Sequence, residues 1–488
     1  MVSNPIRQVE PAGVSSVIRH GYCIGCGACA GLAEAGHEMR WTPEGMLAAV
    51  PVTDEMLVDQ RAGRVCPFSD LAEDESSIAA RLYPSAQSHD KLGRLQATYA
   101  GYVREGYYRE SGSSGGMGTW LLDQLLKQGL VDAVVHVGEL TATPGGPLFG
   151  YRVSRTADDL RAGAKSRYYP VTLQDVIAEV RNTPGRYAFT GVPCFIKAIR
   201  LLAKEDQAFG ASVAFCIGLV CGHLKSRGFA ELLAWQMGIE PASLVYFDFR
   251  VKLPTRAANH YGAKAIGVHD GVRYERTEAM QNLYGRDWGM GLFKPKACDY
   301  CDDVVAETAD ITVGDAWLPR YVQDSEGTNL VIVRDTRFDA ILLQGLEEGR
   351  IHLEPIKPDE VVQSQSSGYT HRREGLAYRL SLADSQAQWR PVKRVAPLAG
   401  KHGALFELRH RLRMRLAAES HLAFTAAKQT GDLAVFFRRI VPVAEEYRDT
   451  YRPAWKRLML RVRRQLLGDP LVRRALKKSK SLIGVNRK

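Results

Sequence analysis

Nine cysteines carry most of the chemistry open to this 488-residue chain, and their spacing divides them unevenly. Cys23, Cys26 and Cys29 fall at two-residue gaps in Cys-Ile-Gly-Cys-Gly-Ala-Cys, a loop tight enough to wrap three corners of an iron–sulfur cubane. The small residues between them let backbone N–H groups approach the sulfurs. A fourth ligand must come from further away, because the place of the next cysteine in a C-x2-C-x2-C-x3-C run is taken by Ala33. Cys66, followed by Pro67, supplies it, so Cys23, Cys26, Cys29 and Cys66 are read as one [4Fe–4S] site. A four-cysteine zinc site is the alternative, although its ligands more often come as two separated pairs.

The other five thiols, Cys194, Cys216, Cys221, Cys298 and Cys301, are dispersed. Cys298-Asp299-Tyr300-Cys301 alone fits half of a zinc site or a thioredoxin-like redox pair. A redox pair opens a helix near the start of its domain, whereas this one comes late, after Phe293-Lys294-Pro295-Lys296-Ala297. A second chemical feature is the run Ser113-Ser114-Gly115-Gly116-Met117-Gly118 ahead of a periodic apolar stretch. Glycines there would let backbone N–H groups approach a diphosphate at a positive helix end. An ordinary flexible loop before a helix fits the same residues. The run is not a G-x-G-x-x-G fingerprint, and Gly163-Ala164-Lys165-Ser166 is not a P-loop, since Asp159 stands where the earlier glycine belongs.

These residues need elements to hold them. A chain of this length implies two or three domains, and 45% hydrophobic with 24% charged residues places it among globular proteins. Residues 1–85 are expected to form a small cysteine-bearing module, ending in a linker at Glu73-Asp74-Glu75-Ser76-Ser77 with Pro84 and Ser85. Residues 95–370 alternate Val- and Ile-rich runs with amphipathic stretches, the pattern of an α/β (α+β) body. Gly116–Gly129 predicts a helix, and Val131–Val137, Arg186–Thr190 and Ser212–Ile217 predict strands, with a helix over Phe195–Ala203. With no long apolar run and no signal-peptide core, the chain is expected to be cytoplasmic, where thiols stay reduced and serve metals or redox chemistry rather than disulfides.

Several separated segments together resemble the β subunit family of coenzyme F420-reducing hydrogenases and dehydrogenases, to which 7-hydroxymethyl chlorophyll a reductases are related. They are Ser114-Gly115-Gly116, Gly163-Ala164-Lys165-Ser166-Arg167-Tyr168, Gly191-Val192-Pro193-Cys194, Gly218-Leu219-Val220-Cys221-Gly222-His223, Cys298-x-x-Cys301 and Ala309-Asp310-Ile311-Thr312-Val313-Gly314-Asp315. The resemblance implies a second [4Fe–4S] cluster on Cys194, Cys221, Cys298 and Cys301. Cys221 is preferred to Cys216 because it precedes the matching Gly222-His223-Leu224-Lys225; otherwise the two exchange roles. The spare thiol is then a small buried hydrophobe. The resemblance also implies FAD, with Ser114, Gly115, Gly116, Lys165, Ser166, Arg167, Arg250 and Lys252 as cofactor contacts. Each of these charges also fits a solvated surface. His223 and Asp315 adjoin matched motifs and are the candidate proton donors.

The implied function is an oxidoreductase that passes electrons from the N-terminal ferredoxin-like cluster to the second cluster, to FAD, and on to an organic substrate or a deazaflavin of the coenzyme F420 type. Reduced ferredoxin or coenzyme F420 is the expected carrier. The alternative is an electron-transfer subunit that relays between such a carrier and a partner enzyme; a zinc-stabilised binding protein is a third reading, opposed by the eight cysteines in place. The tail, residues 371–488, lies outside the resemblance and carries 28 Lys+Arg against 9 Asp+Glu, while the rest of the chain carries 37 against 45. Basic amphipathic helices are predicted there, at Leu405–Leu416 and Trp455–Leu467. They suit an acidic partner or an anionic membrane surface at the inner face better than nucleic acid, or else form a charged cover packed on the body.

Overall fold

The computed structural model describes residues 12–34, 36–52, 60–457 and 459. At the N-terminus the Cys23–Cys29 loop runs between a short helix, Val14–Arg19, and a hairpin of His37–Trp41 with Leu47–Pro51. Gly27 has φ +84°, and a Cβ there would stand 2.2 Å from Thr172 Oγ1, so only glycine lets this loop lie on the body. The polar stretch expected as a linker is instead a helix start. Asp74 caps α1 (Glu75–Leu82) by accepting the Ser77 N–H at 2.7 Å, and Glu75 is buried against Lys197 at 3.1 Å. Capped helix ends and exposed loops draw on the same polar residues, which is why the sequence misleads there.

The body is built on one mixed sheet of eight strands: β1 (Ala97–Val103), β2 (Ala133–Glu139), β3 (Phe149–Ser154), β4 (Tyr187–Gly191), β5 (Val213–Leu219), β6 (Ile311–Asp315), β7 (Asn329–Val333) and β8 (Ile351–Pro355). Their spatial order is β8-β1-β7-β6-β5-β4-β2-β3. The four in the middle, β6, β5, β4 and β2, run parallel, with Ile311 beside Ile217 and Val134 beside Ala188; the flanking pairs are antiparallel. Alternate side chains feed two cores, as a pleated strand requires. Val134, Ala188, Phe215 and Ile217 meet α2 (Met117–Lys127) on one face. Ala133, Val135, Phe189 and Cys216 meet α3 (Pro193–Glu205) on the other. The predicted helices and strands of this region thus form within about two residues of their expected bounds.

The boundary expected at 371 falls inside the last turn of α4 (Ser366–Arg372), which α5 (Glu374–Ser385) continues. His371, Arg372 and Arg379 are buried there. α6 (Ala404–Thr430), which contains the predicted Leu405–Leu416 helix, pairs with α7 (Ala434–Asp449). Their Leu416, Phe424, Phe436 and Ile440 share a core with Phe229, Phe249 and Phe293. A separate antiparallel sheet, Leu244–Val251, Gly262–His269 and Val272–Ala279, joins that core through Phe247 and Ala265. The predicted Trp455–Leu467 helix lies largely outside the described residues. Among the described residues no helix is long and apolar enough to cross a membrane.

Candidate functional site

In open α/β sheets the carboxyl ends of parallel strands leave a crevice. Here it is a cavity of about 290 Å³, lined from the strand ends by Val137, Gly191, Leu219 and Asp315 and from the start of α2 by Gly116, Thr119 and Leu122. The volume is near the lower end of the range for cofactor sites, roughly 300–1,000 Å³. Gly116 has φ +84°, and a Cβ on it would meet the Tyr108 carbonyl at 2.6 Å, so the turn into α2 requires glycine.

Of the residues singled out in the sequence, Ser114, Gly116, Lys165, Ser166, Arg167, Cys221, His223 and Asp315 line this cavity. Gly115 does not; its carbonyl accepts the Val103 N–H at 2.8 Å, which ties it to the sheet. Arg250 and Lys252 line a smaller neighbouring pocket that shares Ser113. Arg250 pairs with Asp315 at 3.1 Å and donates to the Ser113 carbonyl at 3.2 Å, so it braces the cavity wall from behind. Lys252 holds the Ser114 carbonyl at 3.1 Å, and burial, with Arg109 and Lys165 nearby, brings its pKa down to about 8 despite Glu326.

The segment Lys165–Arg167 is the best-formed part of the lining. Lys165 has φ +120°, an uncommon backbone state for a side-chain-bearing residue, and its ammonium pairs with Asp248 at 3.2 Å. Ser166 N–H donates to Ser113 Oγ at 2.8 Å, which joins this loop to the glycine run. Arg167 is held by Glu139 at 2.8 Å over the Phe149 ring at 4.8 Å, yet its buried Nε and Nη1 have no protein partner. Buried donors of that kind want an acceptor. An anionic, partly aromatic cofactor such as FAD fits a cavity with these cations and with Tyr151 and Tyr168 in its wall.

The first four cysteines converge around a small apolar space bounded also by Val14, Phe68 and Ala49. Burial raises Cys26 and Cys29 far above an ordinary thiol, and the neighbouring thiols add to it: Cys66 and Cys23 for Cys26, and Cys26, Cys23 and Cys66 for Cys29. The second set behaves alike. Cys194 is raised by burial and then by Cys301, Cys221 and Cys298, with Cys26 of the first set next. Backbone N–H groups reach two sulfurs, Ala49 to Cys23 and Leu224 to Cys298, each at 3.3 Å. Cys216 lies apart, with Arg200 and Asp310 as its charged neighbours. Among the described residues no three His, Cys, Asp or Glu side chains are arranged to hold a single metal ion. In a four-iron cluster each thiolate binds its own iron, so its donors stand further apart than around one tetrahedral zinc. Soft thiolate sets of this kind fit iron–sulfur clusters.

His223 is buried beside the Trp288 ring at 4.7 Å, and its Nε2 has no partner. Burial and the cations Lys225, Lys294, Arg413 and Arg372 keep the imidazole neutral. Asp315 is a cavity-lining carboxylate oriented by Arg250. Sequence reasoning missed three residues. Tyr151 lies in the cavity wall with its hydroxyl on the Thr190 carbonyl at 3.0 Å, and Cys194 and Cys26 are its strongest charged neighbours. Lys225 is buried over the Phe229 and Trp288 rings and was visible only as the last letter of a matched motif. Arg372, beside the second cysteine set, carried no signal at all.

Two family models match the chain: the N-terminal part of the coenzyme F420 hydrogenase/dehydrogenase beta subunit over residues 98–178, and its C-terminal part over residues 185–359. A coenzyme F420-dependent sulfite reductase of Methanocaldococcus jannaschii is 25% identical over 286 residues, 54% of this chain and 40% of that protein. The chain therefore corresponds to less than half of that relative's length. A coenzyme F420 hydrogenase subunit beta of Methanothermobacter thermautotrophicus is 25% identical over 251 residues, 50% of this chain and 78% of that subunit. A chain of the F420-reducing [NiFe] hydrogenase complex of Methanosarcina barkeri aligns with TM-score 0.45 and 17% identity, covering 61% of this chain and 96% of that one. By the two family matches, which span the sheet, the cavity and the second cysteine set, this chain belongs to the coenzyme F420 hydrogenase/dehydrogenase beta subunit family.

Proposed function

We propose that the chain is an iron–sulfur flavoprotein oxidoreductase. Cys23, Cys26, Cys29 and Cys66 would hold one [4Fe–4S] cluster, Cys194, Cys221, Cys298 and Cys301 a second, and the cavity an FAD. When bound, the clusters supply single-electron carriage and the flavin exchanges single electrons for the two-electron reduction of an organic bond or a deazaflavin. The observation that carries this reading is adjacency. Cys26 is among the thiols that act on Cys194, Cys221 lines the cavity, and a narrow crevice lined by Cys23, Phe195, Leu224 and Lys225 joins the first cysteine loop to the cavity wall.

The chain's own residues then have distinct tasks. Arg167 offers unpaired donors to an anionic cofactor, while Ser113 and Ser166 close the loop beneath it. Arg250 fixes the Asp315 carboxylate at the cavity edge, where it can accept or return a proton during substrate turnover. Neutral His223 can donate an N–H to a bound group without adding charge. Coenzyme F420 or reduced ferredoxin is the proposed carrier; both sequence relatives are named for coenzyme F420. One relative is a hydrogenase subunit, which favours, as a second reading, an electron-transfer subunit acting with a partner enzyme.

Rapid mixing of the cofactor-loaded chain with reduced ferredoxin, and separately with reduced F420, tests the proposal. Bleaching of the flavin by one of them is expected. A chain with full cofactor content that neither donor reduces would count against it.

A further inference from the structure

A densely charged buried region lies against the turn that carries Cys298 and Cys301. Lys294 pairs there with Asp299 in full burial, and Arg379, also fully buried, reaches the same carboxylate at 3.7 Å. Arg372 and Arg413 add further positive charge to the same charged cluster. Arg372, Arg379 and Arg413 all come from beyond residue 359, where the family match ends.

Two of these arginines grip the cysteine-bearing loops. Arg379 Nε donates to the Asp299 carbonyl, between Cys298 and Cys301, at 2.7 Å. Arg372 Nη2 donates to the Gly222 carbonyl, next to Cys221, at 2.8 Å. The remaining Arg372 donors, Nε and Nη1, find no backbone or side-chain oxygen although the residue is only 1% exposed, and the sulfurs of Cys301 and Cys221 are the acceptors nearest to them. The ionisable groups that act most strongly on that guanidinium are the Cys301 and Cys221 thiols, with Cys298 also among them. A buried guanidinium is costly unless an anion stands beside it. A cluster carried on four thiolates is such an anion, and it gains negative charge when reduced.

We infer that Arg372 is a positioning residue of the second cluster, which clamps the Cys221 loop through Gly222 and raises the cluster's reduction potential with its buried charge and the N–H donors it turns toward the Cys301 and Cys221 sulfurs. The inference rests on the two-cluster reading. It makes the C-terminal segment part of the redox centre rather than a cover over it.

The test is an EPR-monitored redox titration of the full, cluster-loaded chain. Arg372→Gln is expected to shift the second cluster's reduction equilibrium toward the oxidised state by about tenfold, ~59 mV for a one-electron couple, and to leave the first cluster's potential in place. Loss of the second cluster's signal alone, with the first intact, also supports the assignment. Arg372→Lys keeps a buried cation without the planar fork. It is expected to stay within roughly threefold of wild type, and a tenfold shift in it overturns the charge argument even if the glutamine variant does not fold. Both clusters present at wild-type potentials in Arg372→Gln overturns the inference. A wild-type chain without acid-labile sulfide refutes the cluster reading itself, and this inference with it.

Discussion

Cys26 and Cys194 belong to different four-cysteine groups, one on the N-terminal loop and one in the first turn of α3, yet Cys26 stands close enough to Cys194 to add to its cost of ionisation. The first group and Cys194 of the second share a core with Phe195 and Ile196, so the N-terminal loop is packed onto the body there.

Cys26→Ser removes one ligand of the first group only. Iron content should fall by roughly half, and reduction by an external donor should slow far more than photoreduction of the flavin. Equal slowing of both would mean that electrons do not enter through the N-terminal loop.

Cys216 and Cys221 should respond differently to substitution. Cys216 packs in β5 toward α3, with its N–H on Asp310 at 2.6 Å, so Cys216→Ala should keep the full iron content and cost about 1 kcal/mol of stability. Cys221→Ala should abolish the second cluster. Iron analysis with thermal unfolding separates them, and the reverse pattern would exchange their roles.

Arg167→Met keeps the side-chain length but removes the buried, unpartnered guanidinium donors of a cavity-lining residue. Charge-assisted hydrogen bonds contribute about 1.5–3 kcal/mol, so flavin affinity should weaken roughly ten- to hundredfold. Fluorescence titration of the apo-chain with FAD measures it; unchanged affinity would remove Arg167 from the cofactor site.

Gly116→Ala places a Cβ against the Tyr108 carbonyl in a left-handed backbone. A cost of about 1–3 kcal/mol is expected, seen as a lower Tm together with weaker flavin retention. An unchanged Tm would mean that the turn into α2 relaxes freely.

Legibility in the sequence followed how local each constraint is. The Cys23–Cys29 spacing acts within one loop, and the strand and helix runs around Val134, Phe189 and Phe195 bury simple apolar patterns, so both could be read directly. The second cysteine group is assembled from α3, the end of β5 and a late turn, a distance no spacing rule spans, and only the family resemblance grouped it. Glu75 and Arg372 were opaque for a physical reason. A charged side chain on a helix looks solvated until the partner that buries it is known, and here the partners are Lys197, 122 positions away, and the Cys221 loop. Gly115 misled differently, since a run of glycines does not tell which of its carbonyls the neighbouring strand will claim.

One chain is proposed to hold two four-iron clusters and a flavin. Iron, acid-labile sulfide and flavin counts on anaerobically purified protein, with EPR of the reduced sample, test it most directly. About eight irons, eight sulfides and one flavin per chain, with two interacting cluster signals, are predicted. Colourless protein holding zinc would contradict the account.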